Sequence, residues 1–176
     1  MPYPGGNIIR VSPTLDAAAY DATGDILFNP TEIPGAVSNR GGASVLQAMY
    51  LVDYEDIAGT VDFQMVFHEK TAADFGTINA TAGISVSNLK SSKILGFTYF
   101  DMSAASTGAI VDNCRIHKAI HPMGDDNGSP SPLMMLKADG GSTSVYVTGL
   151  IHNLASGTPD FDTGDIELIF HIRYLD

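Results

Sequence analysis

The 176-residue chain has no tryptophan, a single cysteine and only nine lysines and arginines, and each shortage removes a class of protein. One cysteine, Cys114, cannot close an intrachain disulfide, so neither a disulfide scaffold nor a cysteine-based zinc site is available. Nine bases against 20 acids leave a net charge of −11, which opposes approach to a phosphate backbone, where Lys and Arg supply most of the affinity. The bases are also scattered, from Arg10, Arg40, Lys70, Lys90 and Lys93 to Arg115, Lys118, Lys137 and Arg173, so no sequence-local patch offsets the acidity. Nucleic acid is therefore not an expected partner. No apolar run approaches membrane-spanning length, and Met1-Pro2-Tyr3-Pro4-Gly5-Gly6 lacks the basic start and apolar stretch of a signal peptide. The expectation is no membrane association and synthesis in a cytoplasm.

Catalytic signatures are missing as well. The chain has no Gly-x-Ser-x-Gly elbow, no Walker loop, no Gly-x-Gly-x-x-Gly at a strand-to-helix turn and no His-Glu-x-x-His. We expect no enzyme, no catalytic residues, no cofactor and no metal centre. Asp53, Glu55, Asp56 and Asp101 are the acids that could still converge as the carboxylate pair of a glycoside hydrolase.

What the chain does have is apolar bulk in short alternating runs. Hydrophobic residues make up 44% and charged residues 16%, enough for a core and wrong for disorder. At this length one domain over residues 1–176 is the economical division. Strands are predicted over 7–11, 25–28, 45–52, 62–68, 93–102, 109–111, 115–121, 133–137, 145–152 and 165–174, separated by Gly, Pro, Asn and Asp. Residues 29–43 read as a long loop because Pro30 and Pro34 block a central strand. Thr14 to Tyr20 allows a helical turn, and a short helix capped by Thr71 is the other helical candidate. Many short strands with little helix predict an all-β antiparallel sandwich, jelly-roll-like, with long Pro- and Gly-rich loops.

Asp62-Phe63-Gln64-Met65-Val66-Phe67-His68 is echoed by Asp165-Ile166-Glu167-Leu168-Ile169-Phe170-His171. Each copy follows a strand that is apolar on both faces, so the unit reads as a hairpin used twice, over 44–68 and 143–171. In the closing copy Ile166, Leu168, Phe170, Ile172 and Tyr174 fall on the core side, with Glu167, Ile169, His171 and Arg173 opposite. Strand 45–52 sorts into Leu46, Ala48, Tyr50 and Val52 against Val45, Met49 and Leu51.

The remaining polar groups suggest bland roles. His117 and His121, four apart on a strand, lie on one face about 13 Å apart, too far for one metal ion, and are expected to face solvent. His68 and His171 are likewise placed opposite the apolar face, and a pH-sensitive contact arises only if their strands are neighbours. The acidic turns at Asp125 and Asp126, and at Asp160, Asp162 and Asp165, offer oxygen ligands for a weak Ca²⁺ site without an EF-hand spacing.

Ile8-Ile9-Arg10-Val11-Ser12-Pro13-Thr14-Leu15-Asp16, and Asp25-Ile26-Leu27-Phe28-Asn29 with its proline loop, set in an acidic, cysteine-poor body, resemble small structural proteins of tailed bacteriophages, including marine and cyanobacterial phages. The resemblance implies a capsid decoration or cement protein of the virion. Such a protein is a homodimer or homotrimer that binds the outside of the major capsid protein lattice and braces it, with residues 1–6 as a docking arm. Another virion component, in the tail, neck or fibre, and a carbohydrate-binding jelly roll are the alternatives.

Overall fold

The computed structural model describes residues 5–55, 61–70, 74–101, 109–111, 114–119, 133–154 and 158–175. Among the described residues, ten strands and one short helix follow one another as β1 (Gly6–Val11), β2 (Ile26–Ile33), β3 (Ala43–Asp53), β4 (Val61–His68), α1 (Val86–Ser92), β5 (Ile94–Phe100), β6 (Ala109–Val111), β7 (Cys114–Lys118), β8 (Met134–Lys137), β9 (Val145–Leu154) and β10 (Ile166–Tyr174). The first sheet has the order β1-β10-β3-β7-β6, with β8 also paired to β3; the second has the order β2-β9-β4-β5. Every pairing is antiparallel, and the two sheets pack as an all-β sandwich.

The core lies where the alternating strands turn their apolar sides toward each other. Val61, Phe63, Met65 and Phe67 of β4 are fully buried, as are Ile166, Leu168 and Phe170 of β10. Tyr174 is partly buried against the same cluster and donates its hydroxyl hydrogen to the Gly35 carbonyl at 3.0 Å. Gly149 of β9 faces inward because the Phe28 ring occupies the place a side chain would take.

Two local expectations are corrected. Residues 29–33 are strand, not loop, since β2 continues through Pro30. Proline is tolerated there because β2 is an edge strand whose register shifts between Phe28 and Thr31. Thr14 to Tyr20 is irregular: the Asp16 carboxylate accepts from the Ala18 N–H and the Tyr20 hydroxyl from the Asp16 N–H, both local bonds that compete with a helix. The helix that does form, α1, starts at Ser85, whose hydroxyl accepts from the Asn88 N–H at 3.2 Å, and stops at left-handed Lys93. Residues 71–73 of the other helical candidate lie outside the described residues.

The repeated unit over 44–68 and 143–171 is not a hairpin. β3 pairs with β10, β7 and β8, and β4 pairs with β9 and β5, so each copy is an arch that leaves one sheet and enters the other. The two arches run in opposite senses, and their four strands form the middle of the sandwich, β10 beside β3 and β4 beside β9. The echoed phenylalanines meet across the core, with the Phe67 and Phe170 rings edge-on and 6.1 Å apart. The histidines that follow them point away onto opposite outer faces, so the condition for a His68–His171 contact is not met.

The face assignment within β3 is corrected too. An irregularity against β10 moves the partner of Ile172 from Gln47 to Leu46, which puts Leu46 on the inner side with Met49 and Leu51. Val45, Ala48, Tyr50 and Val52 then face outward.

Candidate functional site

The second sheet is roofed at one end. The chain from residue 74 to the start of β5 folds back over its outer face and is sewn to the edge of β2: the Ile26 N–H donates to the Ala80 carbonyl at 3.0 Å, and the Asn79 N–H to the Ile26 carbonyl at 2.8 Å. Asn29 clamps the roof from the same strand, its side-chain oxygen accepting from the Phe75 N–H at 3.0 Å and its amide donating to the Gly76 carbonyl at 2.8 Å. This cover closes an edge that would otherwise present unpaired backbone groups.

His68 is sealed beneath the roof at 0% exposure, a correction to the expectation that it faces outward into solvent. Its ring lies against Tyr146, near-parallel at 6.0 Å, and against Phe75 at 5.8 Å. Nδ1 is 2.6 Å from the Lys70 carbonyl, which can only accept, so Nδ1 carries the hydrogen. Nε2 is then the acceptor for the Thr148 hydroxyl at 3.1 Å. Burial pushes the imidazole pKa down from its ordinary value, with the Lys70 carbonyl opposing that shift.

Beside His68 is a hollow of about 220 Å³ lined by Glu69, Lys70, Asp139, Ser142 and Tyr146. Lys93 reaches Glu69 at 3.0 Å and Asp139 at 3.8 Å, while Lys70 meets Asp139 at 3.2 Å. The Lys70 ammonium holds the Asp139 carboxyl below its usual range. Two acids neutralised by two lysines make a clamp between the roof and the β8–β9 turn. His68, held by the Lys70 carbonyl, accepts from the Thr148 hydroxyl, and both of these side chains are fully buried and do not line the hollow.

The other expected residues disperse. His117 is 2% exposed, contrary to a solvent-facing role, because β7 turns it and Ala119 to the inner side of the first sheet. His121, Asp56, Asp125 and Asp126 lie outside the described residues. Asp165 Oδ2 accepts from the Asp162 N–H at 2.6 Å, closing the turn that starts β10, while Phe161 inserts between the rings of Tyr20 and Phe63, each 6.0 Å away. That stretch anchors the core and caps a turn. Among the described residues no group of three or more His, Cys, Asp or Glu side chains could hold a metal ion. Asp53 is fully buried and accepts from the Glu55 N–H at 3.2 Å, whereas Asp101 belongs with Asp62 and Tyr99 at the end of β5.

On the second sheet's outer face the Tyr99 hydroxyl donates to Asp62 at 2.9 Å, the Asn153 amide donates to the same oxygen at 3.2 Å, and the His152 ring stands edge-on to Tyr99 at 4.9 Å. Burial and the Asp62 carboxylate push the Tyr99 hydroxyl up to about 12. Phe97, two residues away on the same side, is 44% exposed.

No family model, curated protein or solved structure matches the chain. The site must therefore be argued from its own side chains, and the first sheet holds a further feature that the linear sequence concealed.

Its outward residues line up in rows across the strands: Arg10, Ile169, Tyr50 and Lys118; Ile8, His171 and Ala48; Glu167, Val52 and Ile116; Arg173, Val45 and Met135. Ile169, Val52 and Val45 are buried although they point away from the core, packed among same-face neighbours such as the Tyr50 and His171 rings, 5.3 Å apart. Ile8 and Met135 are exposed beside them. Arg10, Lys118, Lys137 and Arg173 are exposed on this face, and its one acid, Glu167, is bonded to Arg10. Bases scattered through the sequence thus converge in space.

Proposed function

We propose that this protein is a jelly-roll structural component of a virion, a capsid decoration or cement protein that binds the outer surface of the major capsid protein shell, with no enzymatic activity. The observation that carries the proposal is the strand order. Taking β7 and β8, which both pair with β3, as one interrupted strand position, and β6 as an addition beyond β7, the sheets read 1-10-3-7 and 2-9-4-5. That order supports a jelly roll of two interleaved Greek keys, an architecture found in viral capsid and lectin domains. Fold alone is an analogy; the resemblance of the first forty residues to phage structural proteins favours the capsid branch.

The interlocked arches suit a bracing role. Chain from both halves lies in the middle of each sheet, so the halves cannot separate without breaking the core pairings β3–β10 and β4–β9. A homodimer or homotrimer on the shell, with the short amino-terminal arm as an added tether, completes the proposal.

The test is co-sedimentation of the full chain with emptied, expanded capsid shells of the virus that carries its gene. Saturable binding that raises the shells' melting temperature is expected; no binding sinks the reading. The second reading is glycan binding, favoured by exposed Phe97 beside Tyr99, Asp62 and Asn153, since an aromatic face flanked by hydrogen-bonding groups matches a sugar ring. Binding to a glycan array, lost on Phe97→Ala and Tyr99→Ala, with no binding to shells, would select it.

A further inference from the structure

We propose that the outward face of the first sheet is the docking face of this protein, and that its partner is a protein surface rich in carboxylates. That the partner is a capsid shell rests on the function proposed above; the face and the partner's charge do not. The strands of this sheet turn four bases outward, Arg10, Lys118, Lys137 and Arg173, with one acid, Glu167, whereas Arg115 and its register partner Asp53 alternate to the inner side. The strands of the second sheet carry Glu32 and Asp62 and no lysine or arginine. In a chain with 20 acids and nine bases, this concentration of positive charge on one flat face is the reverse of the overall balance.

Charge complementarity chooses the occupant. Two such faces repel each other, so a symmetric dimer through this surface is disfavoured. A phosphate backbone is a poor match because the molecule as a whole is strongly acidic and apolar side chains stand between the bases. Exposed Ile8, Ile116 and Met135, with Tyr50 half-buried between Ile169 and Lys118 and Arg10 and Arg173 on the same face, have the composition of a protein interface, in which Arg, Met and aromatic residues are enriched. The partner is then a protein patch with an apolar centre and carboxylates around it.

Two paired variants of the full chain test this. Lys118→Glu with Arg173→Glu reverses two charges on the face, and Arg40→Glu with Lys90→Glu reverses two exposed charges elsewhere, giving the same net charge. Thermal melting checks that both fold. The on-face pair is expected to weaken shell binding about tenfold or more, and the off-face pair about twofold or less. Equal losses, or no loss from the on-face pair, overturn the face while leaving the capsid reading standing. If the parent ignores shells, the capsid reading falls, and the face is judged by amide chemical shifts on titration with poly-L-glutamate and with duplex DNA. Shifts confined to β1, β7, β8 and β10 with polyglutamate sustain the proposal. Scattered or absent shifts, a stronger response to DNA, or self-association that the on-face pair abolishes would each overturn it.

Discussion

On the first sheet the outward face carries Arg10, Lys118, Lys137 and Arg173 beside exposed Ile8 and Met135, whereas the strands of the second contribute Glu32, Asp62 and no base. The second face is also covered at one end, where Phe75 and the chain around it shut His68 away from water. The same two-sided apolar pattern in β3 and β9 therefore has two causes. In β3 the outward apolar residues sit in the middle of a wide sheet and shelter one another. In β9 Tyr146 and Thr148 are partnered with His68 under the roof. Apolarity on both faces of a strand marks a central position, and what lies above it has to come from elsewhere in the chain.

The sharpest way to break this comparison is to remove the roof's anchor. Phe75 is 3% exposed and packs on His68, so Phe75→Ala is expected to cost about 3–5 kcal/mol, measured by urea denaturation. It should also open His68 to diethyl pyrocarbonate, against which its full burial should protect it in the parent. A cost below about 1 kcal/mol with His68 still protected would mean that Phe75 is not what closes the second face.

A smaller effect belongs to His68 itself. Its folded pKa is lowered by burial, so the unfolded chain takes up the proton first as pH falls. The stability that the neutral imidazole contributes is complete above about 6.5 and is lost as pH drops below that value toward the folded pKa. Asp139, also lowered, comes into play only below its ordinary value of 3.8, so the two windows separate. Denaturation midpoints at about pH 7.5 and about pH 5 should differ in the parent, and His68→Asn should flatten that difference. An unchanged acid limb in the variant would show that His68 is not its source.

How much of this was legible depends on whether the determining contacts are local. The alternation of β4 and β10 named Phe63, Phe67, Leu168 and Phe170 as core directly, because period two is a property of the strand alone. The first part of β2 was legible as a brief edge strand over 25–28, but its continuation through Pro30 shows only in the pairing with β9. The arches were misread as hairpins for a related reason: the pattern of a strand states which side is apolar, not which strand lies beside it. The burial of His68 was invisible because its cover comes from Phe75, in a stretch where the apolar pattern is weakest. The basic face was concealed most completely, as Arg10, Lys118 and Arg173 come from three distant strands that meet only through β3 and β10.

The smallest expected effect sharpens the comparison from the other side. If the first sheet's outer face is shaped for a partner, its exposed apolar residues should matter little to the isolated chain. Ile8 is 59% exposed and lies opposite His171 on the edge strand β1. Ile8→Ser should therefore leave the denaturation midpoint within about 0.5 kcal/mol of the parent, the range for surface positions without special contacts. The same substitution should weaken shell binding, because Ile8 would lose apolar burial that is gained only in the complex. A stability loss above about 1 kcal/mol would instead mean that Ile8 packs within the free molecule. The first face would then be covered like the second, and the contrast between the sheets would reduce to charge alone.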